Sequence, residues 1–115
     1  MKKIHGILIR AGTIQEVELE DKLEAFYEAL GCDYIAIVER NIAGNLYSIV
    51  CDDEGLYNDD SPITIMDAQS KTPMIVGNVF ICKYGEDEGL ASLTPQDVQT
   101  ISRAWKYKVL WARYK

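Results

Sequence analysis

The longest apolar run in the sequence, residues 74–82 (MIVGNVFIC), is the feature that most constrains the fold. A membrane-spanning helix needs about 18 or more apolar residues, so this run is too short to cross a membrane. Its β-branched and aromatic residues and its polar flanks are typical of a buried strand. We therefore expect residues 74–82 to form the central strand of a sheet. Gly77 within the run predicts a bulge or the close approach of another backbone.

Four shorter β-rich runs precede the apolar run and are separated by turn residues. They are residues 3–10 (KIHGILIR), 15–19, 34–39 (YIAIVE) and 46–51 (LYSIVC). The first of them alternates and is rich in isoleucine, which is typical of a strand. The short loop over residues 41–44 ends in glycine and joins the last two runs, which predicts a β-hairpin.

Two segments have helical patterns. In the first, apolar residues recur at helical spacing, and Gly31 follows where helices commonly end. The recurring positions are Leu23, Phe26, Tyr27 and Leu30. The second segment begins with Thr94 and Pro95, and Asp97 stands at the position that completes a capping box. These signals predict helices over residues 21–30 and 94–113.

Together the elements predict a single α+β domain over residues 1–115. Ser61 and Pro62 are expected to begin a short helical turn through Ile65 or Met66, because proline is favoured at the first position of a helix. The element order is then β-β-α-β-β-(turn)-β-α. This order favours a mostly antiparallel four- to five-stranded sheet with two helices packed on one face. Residues 105–115 are expected to prolong the last helix as a C-terminal extension.

The distribution of charge is more informative than the net charge of −6. All eighteen acidic residues lie between Glu16 and Asp97, where four basic residues oppose them and leave a formal charge of −14. The eight other basic residues lie toward the two ends. An acidic body repels phosphate backbones, which argues against general nucleic-acid binding. It permits binding to a basic partner surface, and the alternative is that these charges only keep the protein soluble.

Cysteine and histidine counts exclude several kinds of site. Cys32, Cys51 and Cys82 are widely spaced and form no Cys-x-x-Cys pair, which argues against a disulfide framework or a zinc ribbon. His5 is the single histidine of the sequence, so one chain cannot build a multi-histidine metal site. We expect no metal and no cofactor. The cysteines are expected to be reduced, small buried residues of a cytoplasmic protein.

Candidate binding residues lie in the strands and in one loop. Asn78 lies in the core-like run, where its amide must pair with a neighbouring backbone group or contact a ligand. Tyr34 and Tyr47 could stack on a ligand ring, although tyrosine is also an ordinary strand residue. The loop from Asp52 to Asp60 carries oxygen ligands that hard cations prefer, but its spacing does not fit an EF-hand. Since no nucleophile or phosphate motif is recognisable, we predict no catalytic residue.

The C-terminal segment gives the clearest signal of an interface. On a helix, one apolar stripe that includes Trp105 would face the sheet, and a second stripe would face away from it. The second stripe consists of Tyr107, Leu110, Trp111 and Tyr114. Because tryptophan and tyrosine commonly anchor interfaces, we expect this stripe to bind a second copy of the chain or a host protein. The alternative is a tail that folds back over the edge of the sheet.

Several short motifs follow one another along the chain. They are Glu16-Val17-Glu18-Leu19, Ala29-Leu30-Gly31, Tyr34-Ile35, Asp53-Glu54-Gly55 with Asn58, Gly77-Asn78-Val79 and Ser92-Leu93-Thr94. This ordered set resembles domain-of-unknown-function family 3846, whose members are small proteins of phages, plasmids and conjugative elements. The resemblance implies such a genomic setting and implies no chemistry.

Three functional hypotheses follow. The first is a non-enzymatic binding protein of a phage or mobile element, which counteracts or modulates a host defence factor by binding a protein partner through an acidic or aromatic surface. The second is a homo-oligomer that sequesters a small nucleotide-like signal. The third is a small metal-dependent hydrolase that uses the loop from Asp52 to Asp60.

Overall fold

The computed structural model describes residues 2–53, 62–85, 89–105 and 108–114. The strands are β1 (Lys3–Arg10), β2 (Thr13–Glu20), β3 (Ile35–Ile42), β4 (Asn45–Asp52), β5 (Ile63–Asp67), β6 (Pro73–Val76), β7 (Val79–Gly85), β8 (Gly89–Ala91) and β9 (Leu110–Arg113). The helices are α1 (Leu23–Leu30) and α2 (Pro95–Ala104). The strand order in the sheet is β2-β1-β7-β4-β3-β9-β5-β6, and β8 pairs with the end of β7.

Adjacent strands pair antiparallel, with the exception of β5 and β9, which are parallel. The prediction of an α+β fold with a mostly antiparallel sheet and two helices is therefore confirmed. The predicted count of four to five strands is too low, because the described residues contain nine. Four strands are additional: one predicted strand is divided into β6 and β7, β5 replaces a predicted turn, β9 replaces part of a predicted helix, and β8 forms where no element was predicted.

Two hairpins have the turns that their sequences favour. β1 has the predicted bounds and joins β2 through Ala11 and Gly12, whose φ angles are 52° and 79°. β3 joins β4 through Ala43 and Gly44, whose φ angles are 54° and 89°. Two consecutive residues with positive φ match the right-handed twist of the flanking strands, and glycine takes this conformation at little steric cost.

The end of α1 and the start of α2 are confirmed, whereas α1 begins at Leu23 and not at residue 21 as predicted. Gly31 follows α1 in the left-handed conformation, and its N–H donates to the Tyr27 carbonyl at 2.8 Å. At the start of α2, the Thr94 hydroxyl accepts from the Asp97 N–H at 3.1 Å. The Asp97 carboxylate in turn accepts from the Thr94 N–H at 2.9 Å, which completes the capping box.

The two helices cover opposite faces of the sheet. Phe26 and Leu30 of α1 pack on the face formed by Ile4, Leu8, Val50, Phe80 and Cys82. Ile101 of α2 packs on the other face, which includes Ile7, Ile9, Ile49, Val79 and Ile81. Neighbouring residues of β1 and β7 are apolar and point to opposite faces, so both faces need a cover. The expectation that both helices lie on one face is therefore wrong.

β1 and β7 approach each other closely at Gly6. A Cβ atom at this position would lie 2.5 Å from the Ile81 carbonyl oxygen and 2.6 Å from the ring of Phe80. Such distances leave no room for a side chain. Glycine at position 6 is therefore needed for the pairing of β1 with the central strand.

The apolar run over residues 74–82 is divided into β6 and β7. Gly77 has a φ of 82° and marks a bend between two strands. The Thr64 hydroxyl donates to the Gly77 carbonyl, and the Gly77 N–H donates to the Pro62 carbonyl at 2.9 Å. β7 lies between β1 and β4, as predicted for a central strand, whereas β6 lies at an outer edge. The prediction of one continuous strand is therefore wrong.

Residues 63–67 form β5, although Pro62 predicts a helical turn there. β5 pairs with β6 on one side and with β9 on the other, and Ile65 is fully buried. Pairing and burial thus override the local preference that proline introduces.

The C-terminal segment is a strand and not an extension of the helix. α2 ends at Ala104, and Trp105 already has an extended backbone with a ψ of 91°. β9 lies between β3 and β5, and its buried and exposed residues alternate with the period of a strand. Leu110 and Ala112 are buried, and Trp111 and Arg113 are exposed. Among the described residues beyond Ala104, which are 105 and 108–114, the predicted helix over residues 94–113 and its extension over 105–115 are therefore wrong.

Two buried hydroxyl groups provide a matched test of this packing. Ser48 is fully buried and its Oγ has no hydrogen-bond partner in the described part of the chain, whereas the Thr64 hydroxyl is hydrogen-bonded to the Gly77 carbonyl. Ser48→Ala should leave the free energy of unfolding unchanged or raise it by about 1 kcal/mol, because it removes an unpaired buried group. Thr64→Val should lower it by about 1 kcal/mol. Urea denaturation measures both values, and an equal loss in the two variants would contradict the unpaired state of Ser48.

Candidate functional site: the acidic edge strand

β2 is an outer strand with an open edge. All eight of its residues pair with β1 in one continuous register, and no strand of the described chain pairs with its second side. β6, at the opposite end of the sheet, has four residues, begins with Pro73 and pairs through an irregular register. Short length, proline and irregularity protect a sheet edge from further pairing. β2 has none of these protections, so its outer backbone is available to another strand.

Three glutamates line one face of this edge. Glu16, Glu18 and Glu20 alternate along β2 and point to the face that α2 covers. The Nε2 atom of His5 lies 2.9 Å from the Glu16 carboxylate, and the Lys22 Nζ lies 2.9 Å from the Glu20 carboxylate. The hydrogen bond and charge of Lys22 lower the pKa of Glu20. The side chains of Glu16 and Glu18 are 54% and 59% exposed, so their charges lie at the surface.

A shallow depression flanks β2 on each face of the sheet. On the α2 face, a depression of about 270 Å³ is bordered by His5, Glu16, Leu93, Pro95 and Val98. On the α1 face, a depression of about 350 Å³ is bordered by Arg10, Leu19, Ala25, Glu28 and Ala29. The first depression has apolar walls beside the Glu16 carboxylate. The second is bordered by three aliphatic side chains, the positive charge of Arg10 and the negative charge of Glu28.

A narrower cleft opens where β3 and β6 separate. β9 pairs with β3 at one end, and beyond this point β3 faces β6 across a cavity of about 130 Å³. The cavity is lined mainly by Ala36, Val38, Cys51, Met74, Ile75 and Val76, and its charged residues are Arg40, Asp52 and Asp53. The Arg40 guanidinium lies 4.6 Å over the ring of Tyr114, and its Nε is buried with no hydrogen-bond partner among the described residues. Ligand sites commonly have about 300–1,000 Å³, so this cavity admits a small group and not a nucleotide.

Tyr47, Lys83 and Asp97 meet in a network between β4, β7 and α2, in which Tyr47 and Asp97 are buried and Lys83 is partly exposed. The Tyr47 hydroxyl donates to Asp97 Oδ1 at 3.2 Å, and the Lys83 Nζ lies 3.0 Å from Asp97 Oδ2. Burial raises the pKa of Asp97, but hydrogen bonds from Thr94 and Lys83 outweigh it and hold the pKa below its ordinary value. Burial and the Asp97 charge raise the pKa of Tyr47 to about 12. The tyrosine therefore stays protonated and donates, and the network supports the fold.

The predicted ligand-binding residues do not meet in one pocket. The Oδ1 of Asn78 accepts from the Ala11 N–H at 3.0 Å, and its Nδ2 donates to the Leu30 carbonyl at 2.9 Å. Asn78 thus joins the β1–β2 turn to the end of α1, which is the internal pairing that was one of its two expected roles. Tyr47 belongs to the buried network, and Tyr34 is 63% exposed just before β3.

The predicted interface residues are divided between the core and the surface. Leu110 is fully buried, whereas Trp111 and Tyr114 are exposed. Tyr107 lies outside the described residues. Trp111 and Tyr114 are three residues apart on an extended chain and therefore face opposite sides, with Lys71 Nζ 5.7 Å from the Trp111 ring. The single aromatic stripe is therefore wrong, and Trp111 is one exposed aromatic residue of the outer surface.

The three cysteines are free thiols, of which Cys51 and Cys82 are buried as expected and Cys32 is only partly buried. Burial raises the pKa of Cys51 to about 11 and that of Cys82 to about 12. Burial also raises the pKa of Cys32. Because the thiolate is the reactive form, these three side chains are poorly suited to nucleophilic catalysis near neutral pH.

The predicted acidic loop lies mostly outside the described residues. Asp52 and Asp53 are described, and residues 54–60 are not. In the part of the chain that is described, no group of three histidine, cysteine or acidic side chains is arranged to hold a metal ion. No helix within the same ranges is long and apolar enough to cross a membrane.

The open edge of β2 is the feature that the sequence interpretation does not identify. The segment TIQEVELE carries glutamate at alternating positions, which is a signal of a strand with one acidic face. Its place at the outside of the sheet depends on which strands pair, and that information is not local.

These features define a small α+β domain with a helix on each face of its sheet and an acidic open edge. A family model described as Domain of unknown function (DUF3846) matches residues 2–106. The chain belongs to this family, which confirms the resemblance seen in its motifs. No curated protein and no solved structure matches it.

Asp97→Asn tests the buried network, because asparagine keeps the size of the side chain and removes its charge. The pKa of Asp97 is lowered in the fold, so its charge stabilises the protein above the ordinary pKa of 3.8. That stabilisation is lost as the pH falls through the lower folded-state pKa. The variant should be less stable by about 1–2 kcal/mol at neutral pH, and the difference should shrink in acid. Thermal unfolding across this pH range measures it, and a difference independent of pH contradicts the role of the charge.

Leu110→Ala and Trp111→Ala distinguish the strand from the predicted helix. Leu110→Ala should lower the free energy of unfolding by about 2–5 kcal/mol, because it empties a buried position. Trp111→Ala should cost less than about 1 kcal/mol, since its side chain lies on the surface. Chemical denaturation measures both, and light scattering shows whether Trp111→Ala changes the mass in solution from that of the wild type. Similar losses of stability in the two variants would argue against the alternation of β9.

Proposed function

We propose that this protein is a non-enzymatic binding protein that engages a basic surface of a protein partner through the acidic face of β2. The observation that carries the proposal is the row of Glu16, Glu18 and Glu20 on an outer strand. Opposite charges across an interface steer the encounter of two proteins and fix their orientation. A regular row of three carboxylates on a rigid strand is suited to this task.

The proposed partner is a host protein, and the proposed setting is a phage or another mobile element, as the family resemblance implies. In the host cytoplasm, the protein counteracts or modulates a defence factor by occupying its basic surface, including one that otherwise binds nucleic acid. The charge of the chain supports this proposal, since eighteen acidic residues oppose twelve basic ones. The same charge disfavours direct binding to nucleic acid.

The chemistry of the described side chains favours binding over catalysis. Asp97 and Tyr47 are bonded to each other within the fold, and Asn78 has partners for both ends of its amide. The buried thiols have raised pKa values. The metal-dependent hydrolase would depend on the loop from Asp52 to Asp60, of which residues 54–60 lie outside the described ranges.

A second candidate function is supported by the cleft between β3 and β6. The Arg40 guanidinium over Tyr114, whose Nε has no partner among the described residues, is suited to an aromatic or anionic group, whereas Asp52 and Asp53 in the same lining oppose an anion. The cavity of one chain is too small for a nucleotide, so sequestering a nucleotide-like signal would require a homo-oligomer in which a second copy enlarges the site. The acidic face of β2 is formed by a single chain and needs no second copy. Protein binding is therefore the first of the two proposed functions.

The proposal predicts that an oligolysine peptide binds at β2 and is released by salt. Affinity should fall strongly between about 0.05 M and about 0.5 M salt, because screening weakens interactions between exposed charges. Glu16→Lys/Glu18→Lys should weaken binding about tenfold or more, since it reverses the row. The matched variant Glu24→Lys/Asp33→Lys makes the same change of net charge at exposed positions outside β2 and should have a smaller effect. Isothermal titration calorimetry measures each affinity.

Equal losses in the two variants would show that net charge alone matters and would contradict a site at β2. For the natural partner, tagged wild type and both variants are compared in capture from bacterial lysate, with mass spectrometry of the bound proteins. The expected partner is a basic protein that the Glu24/Asp33 variant retains and the Glu16/Glu18 variant loses.

A further inference from the structure

We propose that β2 binds an extended segment of its partner as an additional strand, and that this segment alternates basic and apolar residues. The inference rests on the proposed function and specifies how the partner is held. Its parts are the open backbone edge, the row of glutamates on one face and the aliphatic depression on the other.

The backbone of β2 provides the first part of the site. In β-strand addition, main-chain hydrogen bonds supply affinity, and pockets for alternate side chains supply specificity. β2 has eight residues in regular register, and neither proline nor a bulge interrupts it. The Lys22 N–H donates to the Glu20 carbonyl at one end of the strand, at 2.8 Å. Residues 13–19 therefore form the stretch along which a further strand can pair.

The α2 face of the site selects basic side chains. Side chains opposite each other on adjacent strands lie about 4.5–5.5 Å apart at Cβ, so alternate residues of an added strand would meet Glu16 and Glu18. Beside Glu16, the depression of about 270 Å³ has walls from Leu93, Pro95 and Val98. Lysine and arginine can lay their aliphatic stems on such apolar surface while the charged group reaches a carboxylate.

The α1 face of the site selects apolar side chains. The intervening residues of an added strand point to this face, where the depression of about 350 Å³ lies between β2 and α1. Leu19, Ala25 and Ala29 supply its aliphatic surface. A valine or isoleucine side chain can cover these residues and remove apolar area from water. The two faces together favour a basic–apolar alternation in the partner.

A second copy of this chain is a poor occupant of the same edge. Two β2 strands paired with the same faces together would set glutamates against glutamates, and like charges opposite each other destabilise a strand pair. The charge of the row thus opposes self-association and favours a basic segment of a different protein.

The test uses the full chain and the peptide acetyl-Lys-Val-Lys-Val-Lys-Val-amide. Two control peptides carry methyl groups on backbone nitrogens. In one control the backbone nitrogen of every lysine is methylated, and in the other that of every valine. The N–H groups of alternate residues point to the same edge of a strand, so each control loses the donors of one edge and keeps all charges. One control should lose affinity about tenfold or more, and the other should bind like the parent peptide. In hydrogen exchange, the amides of β2 that β1 does not use should gain protection.

A matched pair of protein variants tests the role of the glutamates. Glu16→Gln/Glu18→Gln should weaken binding of the parent peptide about fivefold, as expected for two exposed ion pairs. Glu24→Gln/Asp33→Asn removes the same charge at exposed positions outside β2 and should bind like the wild type. Circular dichroism and thermal unfolding confirm that both variants are folded.

The outcomes separate this inference from the proposed function. If both methylated peptides bind as tightly as the parent, charge alone holds the peptide, which overturns the added strand and leaves the proposed function standing. If β2 amides are protected in the free protein in a concentration-dependent way, a second copy occupies the edge and the inference is wrong. If the affinity for oligolysine is the same in the Glu16→Lys/Glu18→Lys variant as in the wild type, the proposed function itself is wrong.

Discussion

The burial of β7 on both faces is the constraint on which the rest of the structure depends. Val79, Phe80 and Ile81 are fully buried, and each pairs with residues of β1 on one side and β4 on the other. A strand in this position needs an apolar layer on each face of the sheet. α1 supplies one layer through Phe26, whose ring centroid lies 5.9 Å from that of Phe80, and α2 supplies the other through Ile101. Gly6 contributes to the same packing, because it allows β1 to lie so close to β7 that no side chain would fit between them.

Much of the buried polar chemistry serves this arrangement and not a ligand. The network of Tyr47, Lys83 and Asp97 ties α2 to β4 and β7, and the Asn78 amide ties the β1–β2 turn to α1. Among the described residues, a whole strand edge with unpaired backbone groups is found along β2, in addition to the two buried atoms of Ser48 and Arg40. This distribution of polar groups supports the proposal that a partner binds at the surface and edge of β2 and not in a cavity.

The sequence predicts the parts of the fold that depend on neighbouring residues. The bounds of β1, the glycine at the end of α1 and the capping box of Thr94 and Asp97 are all local, and all are confirmed. The errors occur where local patterns are ambiguous. In residues 105–114, the spacing of the apolar residues is compatible with a helix. The strand β9 forms there because it pairs with β3 and β5, and this pairing cannot be read from the local sequence. The candidate site is not evident from the sequence for the same reason, because the edge position of β2 follows from the order of all the strands.

The position of β9 has a consequence for the order in which the protein assembles. β9 pairs with β3 and β5, so it links the β5–β6 hairpin to the strands that α1 and α2 cover. The β1–β2 and β3–β4 hairpins form from sequence neighbours, whereas β9 is far along the chain from both of its partners. Closing such separations costs chain entropy before the new contacts compensate for it, which slows folding. We therefore expect the docking of β9 to be a late and slow step, in which two separately formed regions become one cooperative sheet.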